Sequence, residues 1–531
     1  MLRKLSRFFQ YLKLKHLNDT NNYQEEERII PDSIEVFKER LERVFYDCSD
    51  FSLREITLGD ETRVQLIVAF IDGLVDKNLV NNDVLRPLMI DSREADLATH
   101  FNQSTALKTL KNDLLTTCDL QEVKSFKQLV TAILAGDSII YIDGERVGFK
   151  AGTRGWERRG IDEPQTEAVV RGPREGFSET LRTNTALLRR KIKNHKLKLE
   201  MLTLGEQTNT DICLCYIKDL VHRDILETVR RRLKRIKTDA ILESGYIEEF
   251  IEDAPFSVFP TVANSEKPDI VAAKILEGRV AILCDGTPFV LTVPHFFIET
   301  LLSSEDYYSR PFFSSLVRIL RLLALILTTV LPGFYVAMVA FHQDVIPFKL
   351  LLTITASREG IPFSVFTETL LMGVTYELLR EAGVRMPRPF GQAISIVGAL
   401  VLGQAAVEAG ITSTPVIMVT AITAITSFII PPLKGTLPII RLILILVANI
   451  LGLLGMALII IIIFIHMSGL RSFGVPYLAP FSPFTGADLK DTLLRYPLWA
   501  MWTRPRFLIK NNRNIEDEQY RMKKDIRTKE D

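Results

Sequence analysis

Two groups of polar residues lie within otherwise apolar sequence, where they could act on ions or on neighbouring helices. Three hydroxyl residues recur at i, i+3 and i+7, which places them on one face of a helix: Thr420, Thr423 and Ser427. Such a face could line a wet pore, or each hydroxyl could bond to a carbonyl one turn earlier, and both interpretations remain open. Glu408 ends the preceding apolar segment. A ring of such carboxylates in an oligomer would favour cations, and a water-exposed position at an interface fits equally well.

A stripe of small residues runs along one face of that preceding segment. Its members are Ser395, Ala399, Gly403, Ala406 and Gly410. Small residues let helix backbones approach closely, which is how helices associate in lipid. We therefore expect a tight helix contact here rather than a conduction wall.

Other kinds of chemistry find no support in the sequence. It contains no HExxH, no phosphate-binding loop and no recognisable pairing of a nucleophile with a base, and its seven histidines are scattered without metal-ligand spacing. We therefore predict that the protein is not an enzyme and has no catalytic residues, metal or cofactor. The formal net charge of +1 also argues against binding to nucleic acid.

The elements that must position these residues are concentrated in one apolar block, about 316–467. Candidate spans lie near 322–341, 390–409, 415–430 and 442–465. The middle two are shorter and rich in small residues, so they would cross only as members of a helix cluster. The last is the clearest, because about 24 residues at 1.5 Å each span roughly 36 Å. We predict four spans in an all-α transmembrane domain, 306–470, that follows a soluble α/β head.

The segment 346–379 mixes leucine runs with charge. Its ionisable residues include Lys349, Arg358, Glu368 and Glu377. An amphipathic or re-entrant helix fits this pattern, and a span that lines a wet cavity is the alternative, since ionisable residues at membrane depth usually face protein or water. Basic residues flank both ends of the apolar block, so the head and the tail are expected on the cytoplasmic side.

The head contains an internal repeat. The segments ILAGDSIIYIDG (133–144) and ILEGRVAILCDG (275–286) match without a gap, and each reads as a helix end, an apolar strand and an Asp-Gly turn. This repeat predicts two related α/β subdomains. The pair could offer a cleft for a small ligand, or it could be a structural duplication alone. The predicted divisions are a basic amphipathic segment 1–35, subdomain one 36–150, a linker 151–204, subdomain two 205–305 and a basic cytoplasmic tail 471–531.

The linker is rich in arginine and glycine. Its centre is the hexapeptide Arg171, Gly172, Pro173, Arg174, Glu175 and Gly176. Glycine and proline prevent regular structure there, and a capped helix is predicted to begin near Ser178. The spacing matches neither common phosphate-loop pattern.

Several motifs resemble one family, the A subunits of GerA-type spore germination receptors from endospore-forming bacteria. The resemblance extends from about residue 40 to residue 505 and includes Arg171 to Gly176 and Asn184 in the linker motif. Lys267 stands where the family pattern would have Arg. The segments that carry the resemblance are 163–192, 267–294, 304–311, 380–410 and 472–483.

The resemblance implies a multi-pass protein of the spore inner membrane, with its head on the cytoplasmic or spore-core side. It implies a nutrient germinant receptor that also contains a transporter-like B subunit and a lipoprotein C subunit. A subunits of this family are thought to form a homo-oligomeric ring, of five copies or another number, that acts as a nutrient-gated ion channel, while nutrient recognition is attributed mainly to the B subunit. The site for any ligand in this chain stays unknown.

Two other functions remain open at this point. The chain could be a non-conducting scaffold or accessory subunit of a germination complex. A secondary transporter would show inverted repeats of broken helices, and the apolar block contains no such repeat.

Overall fold

The computed structural model describes residues 29–58, 64–91, 120–155, 164, 167, 169–385, 403–501 and 503–509. Most of the predicted N-terminal segment, the end of the tail, and the predicted span 390–409 up to residue 402 lie outside the described residues.

The first part of the head is a five-stranded antiparallel sheet with the order β1-β2-β4-β5-β3. Buried apolar residues on the strands pack against helices α1 and α2. The elements are α1 Ile34–Val44, β1 Phe51–Leu58, β2 Val64–Ile71, short helical turns at Lys77–Leu79, Val80–Leu85 and Pro87–Asp91, β3 Leu120–Val123, α2 Phe126–Leu134, β4 Ser138–Ile142 and β5 Gly148–Ala151.

The second part repeats this arrangement, with the order β6-β7-β9-β10-β8. The two matching sequence segments occupy equivalent places, since each runs from a helix into the central strand of its sheet through a glycine with positive φ, Gly136 or Gly278. The elements are α3 Leu181–Lys191, β6 Leu197–Leu204, β7 Thr210–Ile217, α4 Arg223–Arg235, α5 Ser244–Ile251, β8 Ala263–Ser265, α6 Pro268–Leu276, β9 Val280–Cys284 and β10 Val290–Val293. Strand β6 lies within the segment predicted as linker, because it pairs with β7 along its whole length.

A buried ion pair joins the two sheets. Arg189 on α3 is 1% exposed and donates to both carboxylate oxygens of Asp50 at 2.8 and 2.9 Å. It also donates to the carbonyl of Leu197 at 3.0 Å. A bidentate arginine–carboxylate pair fixes orientation as well as distance, so it sets how the first sheet sits on the second.

The C-terminal part consists of helices and a short hairpin. Its elements are α7 Glu305–Tyr308, α8 Pro311–Phe341, α9 Phe348–Ser357, α10 Val365–Arg385, α11 Gly403–Glu408, α12 Thr414–Ser427, α13 Thr436–Gly469, β11 Arg471–Ser472 and β12 Val475–Pro476. Among the described residues, α8 and α13 are the two helices long and apolar enough to cross a membrane.

Helix α8 is longer than the predicted span 322–341, because it begins at Pro311 and continues through Pro332. Gly333 makes the close approach to α13 possible, since a Cβ there would stand 3.2 Å from the backbone of Leu444. Proline and glycine are tolerated at this point because a neighbouring helix packs directly against it.

Helix α13 differs from the predicted single span 442–465, because it folds back on itself. Gly452 has φ 60° and ψ −146°, a conformation open only to glycine, and it separates two arms, 436–451 and 453–469. Thr436 donates to the carbonyl of Val258 at 2.5 Å, and His466 Nε2 lies 2.9 Å from the hydroxyl oxygen of the adjacent Ser257. A straight helix would hold its residues 436 and 466 about 45 Å apart. Both ends of α13 therefore meet the head.

The segment 346–379 forms two separate helices, α9 and α10. Helix α10 packs against α8 and α12, and its charged side chains find partners there. The sequence left open whether this segment lies at an interface or faces a polar interior. Its contacts place α10 within the helix group.

Candidate functional site

Helix α10 brings a carboxylate into the interior of the helix group. The side chain of Glu368 is fully buried and accepts hydrogen bonds from the backbone N–H and the hydroxyl of Ser413 at 2.9 and 2.8 Å. Its other oxygen accepts from Arg358 Nε at 3.2 Å. Ser413 is the N-cap of α12, so Glu368 holds the start of that helix.

A second carboxylate lies nine residues further along α10, about 14 Å away. Glu377 pairs with Arg441 of α13 and with Arg380 at 2.6 Å. The neighbouring Tyr376 hydroxyl lies 2.7 Å from the hydroxyl of Ser427 on α12. We call Glu368, Tyr376 and Glu377 the polar track of α10.

The predicted hydroxyl face lies on α12 beside this track. Thr420 and Thr423 donate to carbonyls one turn earlier, at 2.9 and 2.8 Å, and Thr423 is only 2% exposed. Ser427 is the member that meets the track. The pattern missed Thr426, whose hydroxyl lies 2.8 Å from that of Thr328 on α8. The adjacent threonines at 328–329 were the available sequence signal for this contact, but the sequence does not show which helix packs against them.

The other predicted membrane residues are less closely engaged. Glu408 ends α11 and is exposed. A Cβ on Gly403 would first meet the side chain of Ile417 of α12, at 3.8 Å. Ala406 is half-buried, and Gly410 adopts φ 67° after the helix. The two remaining members of the stripe, Ser395 and Ala399, lie outside the described residues.

The head and the helix group meet at a network around Arg318 of α8. This guanidinium is fully buried, and it donates to Asp306 at 3.0 Å, to Asp491 at 2.9 Å and to the carbonyl of Thr492 at 2.8 Å. Arg321, one turn later, also donates to Asp306, at 2.7 Å. The start of α8 is thus fixed both to α7 and to the segment that follows β12.

A second cluster of charged side chains lies nearby, at the end of the second sheet. Glu299 accepts from Arg279 at 2.5 Å and lies 3.5 Å from Lys274 and 3.3 Å from His295. Burial alone would raise the pKa of Glu299, but the charges of Arg279 and Lys274 hold it well below its ordinary value. Burial lowers the pKa of Lys274 and of His295.

These clusters border a cavity of about 690 Å³ between the second sheet, the turn before α13 and the C-terminal segment. Lys274, Glu299, Tyr307 and Asp491 contribute to its wall, most of which is apolar. A cleft of about 510 Å³ also lies between the turn after β2 and helix α3, beside Arg182. Both volumes suit a small molecule.

The linker motif is docked at the same junction. The N–H of Arg171 donates to Glu305 of α7 at 3.1 Å, and Gly172, with φ 141°, lies against the ring of Tyr308, where a Cβ would approach to 2.8 Å. Glu175 pairs with Arg190 at 3.0 Å. Pro173, Arg174 and Gly176 lie in the same irregular loop.

The helix after this loop begins at Leu181, and Asn184 explains why. Its amide donates to the carbonyl of Ser178 at 2.6 Å and accepts from the N–H of Ser178 at 2.8 Å, which holds the chain before the helix. Lys267, the departure from the family pattern, is fully buried and lies 3.2 Å from the hydroxyl of Ser304. It therefore has a hydroxyl partner and lies 3.6 Å from Asp269.

Metal binding finds no support in the part of the chain that the structure describes, where no group of three His, Cys, Asp or Glu side chains could hold an ion. Cys213 and Cys215 are fully buried with sulfurs 3.8 Å apart. Both act as small apolar core residues.

Comparisons with known proteins agree with the motifs. The family model described as Bacillus/Clostridium GerA spore germination protein matches residues 39–507. Spore germination protein KA of Bacillus subtilis is 44% identical over 467 residues, which cover 88% of this chain and 85% of that protein. Spore germination protein GerLA of Bacillus cereus is 37% identical over 474 residues, or 89% of this chain and 94% of that one.

The chain is also similar to a solved structure. It is the crystal structure of the N-terminal domain of the A subunit of the Bacillus megaterium spore germinant receptor GerK3, which is 31% identical, covers 51% of this chain and 97% of that one, and has a TM-score of 0.40. By the family match over most of its length and its identity to full-length relatives, the chain belongs to the GerA family of spore germination proteins.

Proposed function

We propose that this protein is the A subunit of a nutrient germinant receptor in the spore inner membrane. It oligomerises into a ring that forms a nutrient-gated ion channel, and opening of the channel initiates germination. It works with the receptor's B subunit and lipoprotein C subunit. Family membership and the names of the relatives support the role in germination, and the resemblance of the sequence motifs to receptor A subunits is the basis for the assignment to the receptor.

The membrane placement follows from the apolar helices. Helix α8 provides one crossing, and the two arms of α13 provide a hairpin that enters and leaves on the head side. Lys434 and Arg471 are exposed next to the two head-side ends of α13. Basic residues favour the cytoplasmic side, which in a spore is the core.

The polar track carries the proposal of a conduction path. Glu368 and Glu377 lie on a helix that packs inside the apolar group, and ionisable residues at such depth mark ion or substrate pathways by default. The hydroxyl face of α12 lies beside the track, and its half-buried members Thr420 and Ser427 are the proposed pore lining, with Glu408 at the exposed end of α11. The small-residue stripe is proposed as the helix contact that closes the ring.

The junction supplies the coupling between the head and the helices. Arg318 and Arg321 tie α8 to Asp306, and Arg318 also binds Asp491. Arg321 also donates to the carbonyl of Leu301 at 3.1 Å, in the helical turn that follows β10, so a displacement of the second sheet is expected to move the base of α8. Helix α8 in turn contacts α12 and α13.

Cation flux from liposomes tests the proposal. The purified full-length chain, with its partner subunits and nutrient, is expected to release a trapped monovalent cation, and Glu368→Gln is expected to reduce that flux because it removes the charge that holds Arg358 and α12. Glu359→Gln is the control, since Glu359 is exposed. If an assembled oligomer that responds to nutrient conducts no ions, the channel is excluded and the scaffold function takes its place.

A further inference from the structure

Two helix faces, one at the start of α8 and one on the head, expose large apolar side chains. The first is on the N-terminal part of α8, where exposed residues recur every three or four positions on one side: Phe312, Leu316, Ile319, Leu320 and Leu323. Phe312 is 91% exposed. The opposite side of the helix carries Arg318, which is fully buried, so α8 cannot rotate to hide its apolar face. We call these five residues the α8 face.

Most of this face lies beside the head rather than within the apolar layer. Arg321 of the same stretch donates to the carbonyl of Leu301 at 3.1 Å, which places it against the end of the second sheet. A Cβ on Gly333 of α8 would stand 3.2 Å from the backbone of Leu444, which lies eight residues into α13, so the first residue of α13 is level with about residue 325 of α8. Residues 311–321 are therefore on the head side of the level where the α13 hairpin begins. Phe312 lies about 20 Å further along α8 from that level, toward the head.

The second exposed face belongs to α5 and the residue pair before it. Leu242, Tyr246 and Phe250 are spaced four residues apart and are 63%, 45% and 52% exposed. We call them the α5 face. Contiguous exposed apolar side chains of this size mark interaction sites in soluble domains.

The α5 face spans the height of the head. Near its start, Glu243 accepts from the hydroxyl of Thr287 at 3.0 Å, in the turn between β9 and β10. Beyond its end, Asp253 accepts from the N–H of Phe473, next to the end of α13. Both faces therefore lie in the same layer, above the hairpin. The two faces lie on different parts of the surface. Helix α8 starts beside α6, since Tyr308, just before α8, donates to Asp269 of α6. Helix α5 packs instead on α4 and β10.

The charges beside the two faces have opposite sign. Arg310 is exposed at the start of the α8 face, and Glu249 is exposed within the α5 face. Opposite charges at the rim of an apolar contact steer association and exclude wrong pairings.

We propose that the α8 face of one copy of this chain packs against the α5 face of the next copy. Two different patches that pair in this way form a heterologous interface, which closes into a ring when the rotation between copies allows it. This inference rests on the proposed oligomerisation and specifies which surfaces build it. A bilayer, a self-paired dimer and a different subunit are the competing occupants that the experiment separates.

Thiol cross-linking in membranes tests the pairing. Leu316→Cys and Tyr246→Cys are placed in one full-length chain and treated with a short bifunctional maleimide, and each single variant is the control for the native cysteines. Four of these are buried in the described part of the chain. The double variant is expected to give a ladder of dimers, trimers and higher species, whereas each single variant gives none. A dimer from Leu316→Cys alone, or a product containing a different polypeptide, overturns the proposal.

A charge exchange supplies an independent readout. Arg310→Glu and Glu249→Arg are each expected to lower the oligomer fraction about threefold, within the range of an exposed ion pair, and the double exchange restores it. Leu316→Glu is expected to lower the oligomer fraction about tenfold or more, while Met89→Glu, at an exposed site on the helical turn Pro87–Asp91, leaves it unchanged. Particle mass in detergent distinguishes failure of the proposed pairing from failure of the proposed oligomerisation. An oligomer without the ladder or the charge rescue disproves the pairing and leaves the ring intact, and a monomeric wild type disproves both.

Discussion

Arg318 and Asp491 lie 173 residues apart in the chain and 2.9 Å apart in the structure. One is on the first long apolar helix and the other follows the last, so the pair ties the two ends of the helix region together next to the head. Asp306 shares the same guanidinium at 3.0 Å, which makes this a three-part contact among head, helix and tail.

Asp306→Asn is expected to destabilise the junction strongly. Asp306 is 3% exposed and balances both Arg318 and Arg321. Removing one partner of a buried ion pair typically costs about 3–5 kcal/mol. Arg318 keeps Asp491 as a partner, so a loss near the lower end of that range is expected. Thermal unfolding in detergent measures this, with Asp219→Asn as control, since Asp219 forms a largely exposed pair with Lys196. Equal melting temperatures for the two variants would contradict the assigned role.

Glu299→Gln is expected to give a loss of stability that depends on pH. The pKa of Glu299 is lowered in the folded protein, so its contribution is fully present above its ordinary value of 4.5 and is lost as the pH falls through the lower folded value. At pH 7 the variant should melt well below the wild type, because Arg279 and Lys274 lose their counter-charge.

The comparison is made by thermal unfolding from pH 7 to pH 3. The gap between variant and wild type should narrow only below about pH 4.5. A gap that stays constant across the whole range would show that the carboxylate acts through hydrogen bonding alone.

Gly452→Ala is expected to disrupt the turn of the α13 hairpin. A Cβ at this position would lie 2.9 Å from His342 Cε1, and the φ of 60° is unfavourable for any side chain. Backbone strain of this kind costs roughly 1–3 kcal/mol. Gly469→Ala is the matched control, since a Cβ there meets nothing within 4 Å. Melting temperature and yield of folded protein give the comparison, and a loss at Gly469 equal to that at Gly452 would argue against the hairpin.

Thr420→Val and Thr423→Val separate pore lining from packing. Thr423 is 2% exposed and bonds to its own helix, so its valine variant should keep cation flux close to wild type. Thr420 is half-buried and has more solvent access, and its variant should reduce flux if the face lines a pore. The same liposome assay measures both, and a larger effect at Thr423 would reverse the assignment.

Much of the head could be predicted from local sequence. The two matching segments end in Asp-Gly and contain a glycine that leaves a helix, and these features fix the helix, the strand and the turn regardless of the rest of the chain. The family motifs likewise lie in contiguous sequence. Strand β6 was the exception, because its strand character depends on pairing with β7.

The helix region shows where such prediction ends. The run 442–465 is apolar apart from Asn449, so its composition is that of one long span, and the turn lies at Gly452. The charged residues of 346–379 did not show whether the segment faces water or protein, because the sequence of an ionisable residue is the same in both environments. Their partners Ser413 and Arg441 lie 45 and 64 residues away.

The sequence by itself determined that a duplicated α/β head precedes an apolar helix region, and through its motifs it determined the family. These properties depend on periodicity, composition and contiguous residues. Only the tertiary structure decided that α13 is a hairpin, that Glu368 and Glu377 face protein partners, and that Arg318 joins the head to the tail. Each of these depends on contacts between distant parts of the chain, and no local pattern specifies such contacts.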